Sequence, residues 1–148
     1  MKSTTTLLVV CDDGGARFME NIGVGKGLND LREVNVEEVE GAAEGYADRP
    51  GRGRTIGSGA SYAMERTTSE EQQRRQSFVR QLVKEVEKEI SKGSYDRLAI
   101  VAAPKFLGVL RGGLTAELKQ KLVFDLDKDL MKIPTQKMAQ HLAEKIAF

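Results

Sequence analysis

Hydrophobic and polar positions divide the chain into two patterned stretches with an unpatterned one between them. Thr5 to Cys11 is a continuous apolar, β-branched run closed by Asp12-Asp13-Gly14-Gly15. Such a run predicts a strand buried on both faces and followed by a tight turn. Ala16 to Ile22 then alternates, with Phe18, Glu20 and Ile22 on one face and Arg17, Met19 and Asn21 on the other. Beyond Gly23-Val24-Gly25-Lys26-Gly27, the stretch Leu28 to Val36 sets Leu31, Val34 and Val36 among polar neighbours and predicts a third strand. Glycine turns this short predict an antiparallel meander.

From Glu40 to Thr68 neither period holds, and residues 41–68 read as a mobile loop rich in glycine and arginine. Thr67 with Glu70, or Thr68 with Glu71, offers a capping box for the next element. Phe78, Leu82, Val86 and Ile90 then recur every four residues with Val79 and Val83 beside them, and Gly93 follows. This is the core face of a helix and its stop signal. Tyr95 to Ala103 contains a second all-apolar strand, and Pro104 opens a short helix through Leu110. Gly112-Gly113 breaks that helix and Thr115 starts another. Leu122 to Asp127 predicts a last strand, and Pro134 to Ala147 an amphipathic helix with Met138, Leu142 and Ile146 in line.

Only the two apolar strands read as covered on both sides, which makes Thr5–Cys11 and Leu98–Ala103 central, adjacent and parallel. The expected architecture is one α/β domain over residues 1–148. Its mixed five-stranded sheet joins an antiparallel meander to parallel strands, with helices on both faces, as in ribonuclease H-like folds.

Composition narrows the function. A chain of 148 residues with 40% hydrophobic and 30% charged residues suits one soluble globular domain. Formal net charge is +1, so attraction to nucleic acid has to come from local patches. Cys11 is the one cysteine, which rules out an internal disulfide and fits a reducing compartment. Leu7 to Cys11 is too short for a secretory core, and no segment reaches the roughly 20 apolar residues of a membrane span. A cytoplasmic protein with no membrane partner is expected.

Two constellations carry candidate chemistry. Asp12 and Asp13 end the first central strand, where open α/β sheets bind ligands, and Asp125, Asp127 and Asp129 come in and after the last strand. Clustered carboxylates of this kind can hold two divalent ions for phosphodiester cleavage, with Asp12, Asp13 and Asp125 as the catalytic candidates. The same Asp-Asp-Gly-Gly also suits an ordinary turn. His141 is the only histidine and lies far from Cys11 in sequence, so no acid-base set is visible. No zinc spacing or phosphate-loop motif occurs, and no metal or cofactor is expected.

The second constellation is basic. Arg49, Arg52, Arg54 and Arg66 are interspersed with Gly51, Gly53, Gly57 and Gly59, a mixture suited to anions. Gln76, Arg80, Lys84, Lys88 and Lys92 are spaced by four and form one row of the long helix, although Glu85, Glu87 and Glu89 lie alongside. Like charges at that spacing weaken a helix slightly, so the row invites a reason. Lys105 and Arg111 add cations on the following helix.

The combination VVCDDGGARFME, DRPGRGR, AMERTTSEEQQRRQSFVRQL, YDRLAIVAAPKFLGVLRGGL and DLDKDL resembles the bacterial host-attachment protein family. The resemblance runs from the first strand to the last helix and is most specific at Ala103-Pro104-Lys105-Phe106-Leu107-Gly108-x-Leu110-Arg111. It implies a role connected with attachment; without an export signal, a surface adhesin is not expected. That family in turn is similar to the central domain of class-1 peptide-chain release factors, whose glycine loop carries a Gly-Gly-Gln. Here the matching place reads Gly57-Ser58-Gly59-Ala60-Ser61, without the glutamine. The resemblance therefore implies binding to ribosomal RNA or tRNA and not peptidyl-tRNA hydrolysis. A metal-dependent nuclease and a protein-interaction factor acting indirectly in attachment remain the alternatives.

Overall fold

The computed structural model describes residues 4–35, 60–146 and 148, with side chains described outside residues 60–68. Strands β1 (Thr6–Asp12), β2 (Gly15–Asn21) and β3 (Asn29–Asn35) form the meander. Helix α1 (Ala60–Gly93) leads into β4 (Arg97–Ala102), and then come α2 (Pro104–Gly113), α3 (Ala116–Lys121), β5 (Leu122–Leu126) and α4 (Thr135–His141). The sheet order is β3-β2-β1-β4-β5. β1 pairs antiparallel with β2 and parallel with β4, Leu7 opposite Leu98 and Val9 opposite Ile100. β4 pairs parallel with β5. The expected mixed five-stranded α/β fold is the fold observed.

β1 lies in the middle because both of its faces are apolar. Leu7, Val9 and Cys11 enter a core with Phe78, Leu82, Val86 and Ile90 of α1, Phe106 and Leu110 of α2, and Leu118 of α3. Leu8 and Val10 face the other way, toward Met138, Leu142 and Phe148. Helices therefore cover both sides of the sheet. β2 is more buried than its alternation suggests, since Phe18 belongs to the first core and Met19 to the second. The β2–β3 turn is built on glycines with positive φ, Gly25 at 80° and Gly27 at 75°. Buried Asn21 spans it, donating from Nδ2 to the Gly27 carbonyl at 2.7 Å and accepting at Oδ1 from the Gly23 N–H at 3.1 Å.

Three boundaries differ from the pattern-based expectation; one is α2, which continues through Gly112 and Gly113 instead of breaking there. The long helix begins at Ala60, so Thr67 and Thr68 are interior positions and not the helix start. Ala60, Ala63, Met64, Glu65 and Arg66 are good helix formers with no breaker among them, and propagation through them adds a hydrogen bond for each residue fixed. The stretch expected as loop thus ends before Ala60, and its remainder lies outside the described residues. At the C-terminus α4 stops at His141 instead of running on to 147. The Leu142 N–H bonds both Met138 and Ala139 carbonyls, and the chain tightens into turns through Lys145. Leu142 and Ile146 still face the sheet.

Candidate functional site

The three carboxylates expected to act together are each engaged separately. Asp12 Oδ1 accepts from the Gly14 and Gly15 N–H groups at 2.7 and 3.1 Å, which closes the β1–β2 turn. Asp13 is held by a two-point contact from Arg75 of α1, Nε to Oδ1 at 2.8 Å and Nη2 to Oδ2 at 3.1 Å. Asp125 is held in the same manner by Arg111 at 2.9 and 2.7 Å. The Arg111 guanidinium keeps the Asp125 carboxyl below the usual carboxylate range. Among the described residues no group of three or more His, Cys, Asp or Glu is placed to hold a metal ion. Asp127 and Asp129 are exposed beyond the end of β5.

Cys11 is fully buried, and its Sγ donates only a long contact to the Val101 carbonyl at 3.8 Å. Burial, aided by the Asp12 charge, pushes the thiol far above its ordinary pKa, leaving it a small core hydrophobe. His141 is exposed on α4, across the sheet from the core that contains Cys11.

The basic candidates divide by position. Arg49, Arg52 and Arg54 lie outside the described residues; Arg66 lies within α1, its side chain outside the description. Gln76, Arg80, Lys84, Lys88 and Lys92 are all exposed on α1, and Arg80, Lys84 and Lys88 point directly away from the stripe made by Phe78, Leu82, Val86 and Ile90. Lys105 is exposed in the first turn of α2. Arg111 is exposed but committed to Asp125.

What decides the character of this face is where the neighbouring acids turn. Arg32 of β3 reaches across to α1, pairing with Glu85 and, at 3.0 Å, with Glu89. The Arg32 guanidinium lies 5.1 Å from the Phe18 ring centre. Its hydrogen bond lowers the Glu85 pKa, and Glu89 is buried beneath it. Two of the three acids beside the row are thus turned toward β3, and Glu85 also takes Lys88 at 3.5 Å. Arg80, Lys84 and Lys92 form no ion pair with a described residue. A shallow, open depression of about 590 Å³ runs among Lys84, Glu87, Lys88, Ser91 and Lys92.

Several of these contacts had no signal in sequence spacing. Arg32 and Glu89 are 57 residues apart, and Arg75 and Asp13 are 62 apart. Arg17 donates to the Met131 and Ile133 carbonyls at 2.9 and 2.6 Å and to Thr135 Oγ1 at 3.0 Å, fastening the segment before α4 to the sheet. An arginine at an inward-facing strand position, as Arg17 is beside buried Ala16 and Phe18, was the one visible hint.

The architecture is that of a release-factor-like α/β domain. It is similar to the archaeal translation termination factor aRF1, with a TM-score of 0.52 and 14% identity over 96% of this chain and 35% of that one. The chain therefore spans about a third of the termination factor, and the likeness is one of fold. Its sequence matches the family described as "Protein required for attachment to host cells" over residues 7–142, and the chain belongs to that family. A comparison with curated proteins finds no match. No helix among the described residues is long and apolar enough to cross a membrane.

Proposed function

We propose that this host-attachment family protein is a non-catalytic cytoplasmic binding domain for structured RNA, with the ribosome or tRNA as its partner. One observation carries the reading. The outer row of α1 keeps Arg80, Lys84 and Lys92 without ion pairs among the described residues, while Arg32 takes Glu89 and shares Glu85 with Lys88. A cationic stripe left uncompensated in this way suits a polyanion. Among polyanions, the fold shared with a translation termination factor favours the translation machinery. Arg49, Arg52 and Arg54, outside the described residues, are by composition suited to the same kind of partner. The nuclease reading has less support, since Asp12, Asp13 and Asp125 are each occupied by a different internal partner.

Sedimentation with purified ribosomes on a gradient tests the proposal. The protein should travel with ribosomes at low salt and be released at high salt. The double variant Arg80→Glu/Lys84→Glu should remain at the top of the gradient although it is folded. Replacing Arg49, Arg52 and Arg54 with glutamine should weaken association further and reduce its salt dependence. Failure to co-sediment at low salt, or association indifferent to salt and to these charges, overturns the reading and favours a protein partner.

A further inference from the structure

The geometry of the α1 row points to its mode of binding, on the assumption that the RNA-binding reading above holds. We infer that the row lies along the phosphate backbone of a double-stranded RNA segment, holding it by charge and by the 2′-hydroxyls, without base stacking. Successive members of the row are four residues apart, about 6 Å along a helix axis. Arg80 to Lys92 therefore covers about 18 Å on a rigid support, which matches a partner whose phosphates are themselves held in a regular line.

Two observations separate a duplex from a single strand and RNA from DNA. Proteins that hold single strands stack bases on exposed aromatic rings. Among the described residues the most exposed large hydrophobic side chains are Ile22, Val24 and Val123, none aromatic; Phe124 is half-buried in the core on the opposite face of the sheet, and Phe78 of α1 is buried. The depression within the row then places one carboxylate, Glu87, and one hydroxyl, Ser91, among Lys84, Lys88 and Lys92. Toward phosphates alone Glu87 is purely repulsive. Between them, it is an acceptor for the 2′-hydroxyl donor that RNA has and DNA lacks. Glu87 makes no hydrogen bond or ion pair with a described residue, so it is available for that contact.

Fluorescence anisotropy over a range of salt concentrations tests this with three labelled probes: an RNA duplex, a DNA duplex of the same sequence, and one RNA strand alone. The RNA duplex should bind several-fold more tightly than either of the others, with a log–log salt slope of about −3 for three to four phosphate contacts. Arg80→Gln/Lys84→Gln should flatten that slope by about 1.8, near 0.9 for each lost contact. Glu87→Ala should narrow the RNA-over-DNA preference several-fold and leave the slope nearly unchanged. Circular dichroism confirms that each variant is folded. Equal or tighter binding of the single strand overturns the inference, as does an RNA-over-DNA ratio unaffected by Glu87→Ala. If ribosome co-sedimentation persists while no free duplex binds, this mode fails and the broader reading stands; if both vanish, both fail.

Discussion

The two faces of α1 follow different rules. On the inner face, Phe78, Leu82, Val86 and Ile90 are buried because their spacing puts them in one stripe and the sheet needs a cover. On the outer face, spacing aligns Arg80, Lys84, Lys88 and Lys92 equally well, but alignment alone does not say whether the row is neutralised. That is settled from another element, by Arg32 on edge strand β3, which takes Glu89 and leaves Glu85 shared with Lys88 alone of the row. Periodicity thus decides burial directly, whereas the charge of a surface depends on contacts far away in sequence.

The largest effect expected from breaking the inner face is that of Phe78→Ala. Phe78 is 1% exposed, and its ring centre lies 5.7 Å from that of Phe106. Truncation should cost about 3–5 kcal/mol, read by urea denaturation, and lower Tm by roughly 10 °C. RNA affinity measured where the variant is still folded should not change.

Gly113→Ala probes the same face with a smaller perturbation. A methyl group there would come within 2.7 Å of Val79 Cγ1, and a β-branched neighbour cannot swing aside easily. A loss of about 1–3 kcal/mol is expected. Alanine at Gly108 or Gly112, where it would meet nothing within 4 Å, should be neutral or stabilising.

Arg32→Ala tests the link between the faces. It leaves Glu89 buried without this partner and should cost about 1–2 kcal/mol. It should also change the response to acid. Glu85 has a folded pKa lowered chiefly by its hydrogen bond from Arg32. Its stabilising contribution is therefore complete above the ordinary glutamate value, about 4.3, and is lost as pH falls through the lowered folded value. Urea titrations at neutral pH and below pH 4 should show a smaller acid loss in Arg32→Ala than in the parent.

The smallest stability effect belongs to the outer row. Arg80→Gln/Lys84→Gln should alter unfolding free energy by no more than about 0.5 kcal/mol, because exposed charges contribute little. A much larger loss in thermal denaturation would mean that the outer row is structural, and the contrast between the faces would collapse.

Sequence reading recovered the fold where burial was carried by runs and stripes. Leu7–Cys11 and Leu98–Ala102 are apolar on consecutive residues, and this alone made them neighbours at the centre of a parallel pair. It misplaced the start of α1, because Thr67 and Thr68 look like caps even though the helix formers upstream carry the hydrogen-bonded ladder through them. For the candidate site, the basic row was legible from its spacing. The fate of the carboxylates was not, since Asp13 meets Arg75 and Asp125 meets Arg111 only after helices dock beside the sheet. Nothing in their local sequence distinguishes a metal ligand from half of an ion pair.

The place of β1 in the sheet has a consequence for how the chain is made. Its hairpin partner β2 follows within a few residues, but its other neighbour arrives much later, Thr6 pairing with Arg97 across 91 positions. During synthesis the meander emerges with the apolar edge of β1 open until β4 has been translated and α1 can fold back over it. Closing so distant a pair is slow, and an unpaired hydrophobic edge is where nascent chains stick to one another. A chain halted between β3 and β4 would hold its most hydrophobic strand unpaired along that edge, making the interval before residue 97 the one in which a chaperone has most to do.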